Sequence, residues 1–189
     1  WFSLEKGRRM KYCKIGISII SIIVAAICVI MIVRINKAFP NAEENSYTKD
    51  NPANIEGVEL TPVSYNVYTI EEYSKISPTN NFSMNQNSDN SRIIVMTVRL
   101  KNTTEEVVNY TPSFVCVIEE INGSNGVTTV SPLMRHVTLL PGESKEVMYQ
   151  AYMGPNQLNP RNFDKIDEST VTLVYSFYPY RNRLIFSKG

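Results

Sequence analysis

Few side chains in this sequence could do chemistry. His136 is the only histidine of the 189 residues, so a zinc site or a Ser-His-Asp arrangement would have a single imidazole available. Adjacent acid pairs could supply the two carboxyl groups of a glycosidase. These pairs are Glu71-Glu72, Glu105-Glu106 and Glu119-Glu120. On a strand, neighbouring side chains point to opposite faces, so the members of a pair cannot serve one site. With neither a Gly-rich phosphate loop nor a CxxC pair present, we expect no catalysis, no cofactor and no metal.

The cysteines indicate a chain that folds without disulfides. Cys13 and Cys28 lie beside or within a long apolar stretch, which leaves Cys116 by itself in the rest of the chain. A single cysteine cannot form a disulfide within its own domain. Because Cys116 lies in the apolar run 114–118, we predict that it is a small buried core residue and not a reactive thiol.

One cluster has the composition of a binding surface. Near the C-terminus lie Tyr175, Phe177, Tyr178, Tyr180, Arg181 and Arg183. Aromatic and arginine side chains dominate many recognition surfaces. The alternative is that Tyr175 and Phe177 share one strand face and fill the core, while Tyr178 and Tyr180 line the other face.

A second segment, residues 154–168, combines prolines with apolar side chains, which predicts an ordered surface segment. Loops of a sandwich are the usual place for partner contacts. The other long segment without strand alternation, residues 71–91, is rich in Asn and Ser and is predicted to be a loop. The predicted partner-binding residues are therefore Leu158, Phe163, Tyr178, Tyr180, Arg181 and Arg183.

These candidates follow a long apolar stretch, residues 15–33, that has no charged side chain. A helix of this length runs about 28 Å, close to the hydrocarbon thickness of a bilayer. Its only hydroxyl side chains, Ser18 and Ser21, can bond to a carbonyl one turn earlier. A soluble core helix would have a polar stripe every 3.6 residues, and none is present. The sequence predicts a single transmembrane helix.

Cleaved signals are the alternative to an anchor. A secretory signal has a shorter apolar region, and the nearest small-residue site here is Ala38. A lipoprotein signal would need a small residue before its cysteine, but Ile27 precedes Cys28. We predict an uncleaved anchor, with cleavage after Ala38 as the alternative. Met10 is the expected native start.

Basic residues before the span outnumber those after it, which predicts a cytoplasmic N-terminal segment at 1–14 and an exported C-terminal part at the cell membrane. Residues 40–189 contain more acidic than basic side chains. This composition argues against nucleic acid as a partner. Residues 34–56 are polar with two prolines, and we predict a flexible spacer there.

Beyond the spacer, the apolar pattern changes to the alternation of strands. Short strands are predicted at 63–68, 92–100, 114–121, 133–140, 145–153, 170–178 and 183–186. No long helix is predicted among them. The fold class is therefore all-β: residues 57–189 are expected to form an immunoglobulin-like antiparallel sandwich, preceded by the single transmembrane α-helix.

Two turn motifs carry a resemblance to a known group of proteins. A central strand that ends in Lys101-Asn102-Thr103-Thr104, with Leu140-Pro141-Gly142-Glu143-Ser144 entering a later strand, resembles bacterial immunoglobulin-like domains of unknown function. These domains follow lipoprotein signals or single membrane anchors in Gram-positive bacteria. The resemblance covers residues 57–189, implies an extracytoplasmic sandwich, and brings no catalytic residue. Many of those proteins have a lipidated cysteine where this chain keeps its helix.

Together these features predict a non-catalytic, membrane-anchored extracytoplasmic interaction module. Its expected partner, besides the membrane, is a protein, peptide or glycan of the cell envelope. A structural or protective envelope component is one alternative, and an immunity-type protein that binds a secreted antimicrobial is the other.

Overall fold

The computed structural model describes residues 2–77 and 90–189, in two compact units. The first unit contains helix α1 (Phe2–Ala38), which includes the predicted span. Within it, Gly16–Ala38 has a mean hydropathy of 3.0 and is long and apolar enough to cross a membrane. A signal sequence satisfies the same criteria. The Ser21 hydroxyl donates to the carbonyl of Ile17 at 3.0 Å, which confirms the predicted bond to the preceding turn.

The prediction of a flexible spacer at 34–56 is wrong. Helix α1 extends to Ala38, and the second compact unit begins at Ala42. It opens with two short strands, β1 (Glu43–Tyr47) and β2 (Ala53–Ile55). Both are edge strands in which only Tyr47, Ala53 and Ile55 reach the core, so a polar composition does not exclude them.

The second unit is a β-sandwich. Its other strands are β3 (Val58–Tyr68), β4 (Arg92–Asn102), β5 (Val108–Tyr110), β6 (Val115–Ile118), β7 (Gly123–Gly126), β8 (Thr128–Thr129), β9 (Val137–Leu139), β10 (Ser144–Met153), β11 (Val171–Ser176) and β12 (Tyr180–Ile185). Sheet 1 has the order β1-β12-β11-β6-β7, and sheet 2 has the order β2-β3-β4-β10-β8. Strands β5 and β9 form a separate pair. This confirms an all-β sandwich preceded by one apolar helix. Among the strand pairs of the described residues, β1 and β12 are parallel and the others are antiparallel.

The two sheets share one core. In β4, alternate residues such as Met96 and Val98 face the core and are fully buried. Residues of sheet 1 such as Cys116, Leu173 and Leu184 belong to the same cluster and are also fully buried. Burial raises the pKa of the Cys116 thiol to about 12, so it stays protonated at neutral pH. The prediction of a buried core cysteine is confirmed.

A second, smaller core lies on the outer face of sheet 2. Helix α2 (Ile70–Ile76) begins at Thr69, whose hydroxyl accepts from the Glu72 N–H at 3.2 Å while the Glu72 carboxylate accepts from the Thr69 N–H at 2.8 Å. Tyr73 of α2 then packs on Ile93 and Val95. The predicted loop at 71–91 is therefore wrong for its first part, and residues 78–89 lie outside the described residues.

The strand predicted at 114–121 is shorter than expected. Strand β6 stops at Ile118 and continues as a 3-10 helix at Glu119–Ile121. Its Val115 and Val117 are only half-buried, because their side chains lie on the outer face of sheet 1. Pro62 lies at a bulge of β3 in its pairing with β4, a position that tolerates proline.

The two turn motifs that carried the resemblance form one structural unit. The Asn102 N–H donates to the carbonyl of Glu143 at 3.0 Å, and the Gly142 N–H donates to the carbonyl of Asn102 at 3.2 Å. Gly142 has φ +73°, the positive value that the predicted turn requires. The Asn102 side chain is fully buried beside this turn. Both motifs therefore close one end of sheet 2.

Candidate functional site: the outer face of sheet 1

Two of the six predicted contact residues belong to the core. Leu158 and Phe163 are 3% and 6% exposed. Phe163 lies in the 3-10 helix Pro160–Glu168, and the Arg92 guanidinium lies 5.0 Å from the centre of its ring. The predicted contact role of Leu158 and Phe163 is wrong for this conformation, because the segment packs its apolar side chains inward. The segment is ordered, as expected.

The aromatic residues between β11 and β12 are exposed. Phe177, Tyr178 and Tyr180 are 53%, 56% and 48% exposed, whereas Tyr175 is half-buried and packs against the core. The alternative in which Phe177 fills the core is therefore wrong, because β11 ends at Ser176 after a bulge that breaks the alternation. The exposed turn 177–180 connects β11 to β12 at one end of sheet 1.

The two predicted arginines lie on that outer face and are paired with two carboxylates. Arg181 lies 3.0 Å from Glu44 and 2.8 Å from Glu119. Arg183 lies 2.9 Å from Glu44 and 3.1 Å from Glu119. The arginines come from β12, Glu44 from β1, and Glu119 from the 3-10 helix after β6. Because each guanidinium already has two partners, neither arginine presents an unpaired charge to a phosphate or carboxylate ligand.

Glu119 is the centre of this ion-pair network. Burial would raise the pKa of its carboxyl group, but hydrogen bonds from Arg181, Thr172 and Arg183 outweigh that effect and hold the pKa below its ordinary value. Thr172 of β11 donates to the same carboxylate at 3.0 Å. Sequence reasoning noted Glu119 only as a member of an acidic pair and missed Glu44. Their partners lie 62 and 137 residues away along the chain, so no local pattern could have found them.

An open groove of about 550 Å³ runs beside this network. Its apolar lining consists of Val115 and Val117 of β6 and of Phe177. Glu119 and Arg181 are polar lining residues. Residues 122–124, at the start of the edge strand β7, also line the groove, and the Ser124 N–H already donates to the carbonyl of Gln157 at 3.2 Å. Apolar side chains with an exposed aromatic ring, next to a few polar groups, are features that suit a ring-shaped side chain or ligand.

The histidine and the acidic side chains considered for catalysis do not come together in one site. His136 is exposed next to β9, and its Nδ1 lies 2.8 Å from the Thr111 hydroxyl. Glu120, the neighbour of Glu119, is occupied by the N–H and hydroxyl of Thr170, both at 2.7 Å. Among the residues that the structure describes, no group of three or more His, Cys, Asp or Glu side chains is placed to hold a metal ion.

Replacing Glu119 with glutamine should destabilise the second unit at neutral pH. The amide keeps the shape of the side chain but removes the charge that faces Arg181 and Arg183, and a hydrogen bond to a charged group contributes about 1.5–3 kcal/mol. Since these side chains are still about a fifth exposed, we expect a loss of about 1–2 kcal/mol after solvent screening. Urea unfolding of the detergent-solubilised chain, followed by near-ultraviolet circular dichroism, measures this loss.

The stability that Glu119→Gln loses should become smaller as the pH falls. The folded pKa of Glu119 is lowered, so its contribution is present above the ordinary carboxyl value of 4.5 and is lost as the pH falls through the lowered value. Wild type and the Glu119→Gln variant should therefore converge in stability below that range. Glu71→Gln is the control, because its pair with Lys75 is long at 3.7 Å and exposed. A Glu119→Gln effect no larger than that of the control would contradict the assignment.

No family model and no curated protein matches the sequence. Among solved structures, the chain is similar to an uncharacterised β-sandwich protein from Clostridium difficile 630, at 13% identity and a TM-score of 0.43. The match covers 77% of this chain and 97% of that protein.

Proposed function

We propose that this protein is a membrane-anchored, non-catalytic interaction module whose sandwich lies outside the cytoplasm and binds an envelope protein, peptide or glycan. The observation that carries the proposal is the groove on the outer face of sheet 1. Phe177, which is 53% exposed, lines this groove together with the half-buried Val115 and Val117, and exposed aromatic side chains at concave surfaces are common anchors of binding interfaces.

Anchoring and orientation are supported by the helix and its flanks. Gly16–Ala38 has the length and composition of a membrane span. The basic residues in 1–14 favour a cytoplasmic N-terminus, which would export the sandwich. We further propose that the sandwich is immunoglobulin-like, related to the extracytoplasmic domains that its turn motifs resemble. Two five-stranded sheets joined through one core support that assignment.

The groove favours a partner with a ring-shaped group over a charged small molecule. Arg181 and Arg183 are already neutralised by Glu44 and Glu119, so charge would contribute specificity more than affinity. Phe177 is the one large exposed apolar side chain in the lining of the groove. A partner that covers Phe177 would gain most of the available apolar burial, as expected for an anchor residue of an interface.

A single labelling experiment tests both orientation and partner. In a Cys13→Ser, Cys28→Ser background, Ser124→Cys, an exposed position that lines the groove and leaves Phe177 in place, is treated on intact cells with a membrane-impermeant maleimide that carries a photo-crosslinker. Cys116 should not react, because it is fully buried. We expect labelling without cell lysis and, on illumination, a discrete adduct. Met148→Cys is the matched control: it is 46% exposed on sheet 2 and should be labelled without forming that adduct.

The other results are equally informative. Labelling at residue 124 only after the membrane is broken would show that the orientation is wrong. Labelling in intact cells with no adduct specific to Ser124→Cys would show that this face has no partner and would favour the structural or protective alternative.

A further inference from the structure

The chain enters the sandwich next to its most exposed aromatic residues. The Glu43 N–H, at the start of β1, donates to the carbonyl of Pro179 at 3.1 Å, and Glu43 is paired with Tyr180 in the sheet. The Ser176 hydroxyl donates to the carbonyl of Tyr180 at 2.8 Å and holds the turn closed. Tyr178 and Tyr180 are therefore placed at the end of sheet 1 where the chain arrives.

The connection from the helix is short. Helix α1 ends at Ala38 and β1 begins at Glu43, and five residues of fully extended chain span at most about 18 Å. This limit follows from chain length alone and applies for any angle between helix and sandwich. If α1 crosses a membrane, the lipid surface is within reach of the turn 177–180.

The tyrosines of this turn are of the residue type that is common at the membrane–water interface. Tyrosine combines an apolar ring with a hydroxyl group, and it is enriched at the headgroup level of membranes for that reason. The neighbouring charges do not favour an electrostatic contact, because Arg181 is paired with Glu44 and Glu119 and Glu43 is exposed. A contact here would depend on ring burial and not on anionic lipid.

We propose that Tyr178 and Tyr180, with Pro179 between them, contact the headgroup region of the bilayer that the helix crosses. This inference rests on the proposed membrane anchor. It assigns the two tyrosines to the lipid surface, and it leaves Phe177 and the groove on the outer face of sheet 1 for the envelope partner. The opposite end of the sandwich carries no such assignment.

The opposite end supplies a matched control position. Strand β12 runs from Tyr180 to Ile185, and the carbonyl of Ser187 then accepts from the Tyr65 N–H at 3.0 Å, near the end of β3. Helix α2 follows β3 directly, so Ile76 of α2 lies far from the turn. Its side chain is 49% exposed, almost the same as Tyr180 at 48%.

The test places a fluorescent probe at each end. Trp1 is the only tryptophan, so a Trp1→Phe background allows Tyr178→Trp and Ile76→Trp to be read separately in the full chain. Each variant is reconstituted into vesicles of phosphatidylcholine, with or without bromine on acyl carbons near the headgroup. We expect the emission of the residue 178 probe to shift to shorter wavelength and to be quenched by brominated lipid, and the residue 76 probe to be unaffected.

The outcomes separate this inference from the proposed anchor. Co-flotation of the chain with vesicles, without quenching at residue 178, would overturn the lipid contact and leave the anchor intact. Equal quenching at both positions would also overturn it, because the contact would not be specific to this end. A chain that does not float with vesicles would contradict both proposals. Circular dichroism identical to wild type confirms that each variant is folded.

Discussion

Replacing Asn102 with aspartate should destabilise the sandwich by about 3–5 kcal/mol, the range for a buried charge without a partner. Asn102 is fully buried, and its Nδ2 group donates to the carbonyls of Glu106 at 2.7 Å and Leu139 at 3.1 Å. Its Oδ1 accepts from the Thr104 N–H at 2.8 Å. Aspartate keeps the acceptor but loses both donors, and it places a negative oxygen against a carbonyl oxygen. Since whole domains are stable by about 5–15 kcal/mol, much of the population should unfold at moderate urea.

The comparison that isolates this effect is Asn109→Asp. Asn109 is exposed in β5, and its Oδ1 accepts from the Thr138 hydroxyl at 2.7 Å, a role that a carboxylate can also fill. We expect a change of less than about 0.5 kcal/mol there. Urea titration of the solubilised full chain, with near-ultraviolet circular dichroism as the signal, measures both variants. Equal midpoints for Asn102→Asp and wild type would show that the network of Asn102 does not hold the two turn motifs together.

The role of Asn102 also explains what the turn motifs could predict. Their residues are needed to close one end of sheet 2: Asn102 bonds to the loop that follows β4, to β9 and to the turn before β10, and Gly142 provides a positive φ. These are requirements of the fold and contain no information about a ligand. The motifs therefore supported a correct prediction of a sandwich but could not locate a binding site.

Strands of the core were predictable because burial imposes alternation on them. Strand β4 was predicted at 92–100 and observed at Arg92–Asn102, and β10 was predicted at 145–153 and observed at Ser144–Met153. Strand β1 was missed because it is a polar edge strand. It is held by backbone pairing with β12 and by the ion pairs of Glu44, and both depend on residues 137 positions away.

Helix α2 shows a signal that was present but not used. Thr69 and Glu72 have the spacing of a capping box, and both of its hydrogen bonds are formed. The site was only partly predictable for a different reason. Composition identified Tyr178 and Tyr180 as exposed aromatics, but it could not show that Leu158 and Phe163 turn inward. The facing direction of a 3-10 helix depends on the sheets beneath it.

Replacing Met96 with aspartate should prevent the sandwich from folding. Met96 is at the centre of β4, is fully buried, and belongs to the core shared by both sheets. An unpaired charge there costs several kcal/mol, in addition to the apolar burial that is lost. Thr97→Asp is the control, because Thr97 is the next residue on the same strand, lies on the opposite face and is half-buried. We expect its unfolding midpoint to stay close to that of wild type.

Replacing Val95 with aspartate should have an effect between those of Met96→Asp and Thr97→Asp. Val95 faces outward but is 8% exposed, because it belongs to the small cluster beneath Tyr73 of α2. This cluster has few members, so its loss can be confined to local opening of α2 while the main core remains folded. Hydrogen exchange should show faster exchange of the α2 amides in Val95→Asp and unchanged protection in β4 and β10. If Val95→Asp unfolds the chain as completely as Met96→Asp does, the two clusters are one cooperative core, and the outer face of sheet 2 is as essential to folding as the inner one.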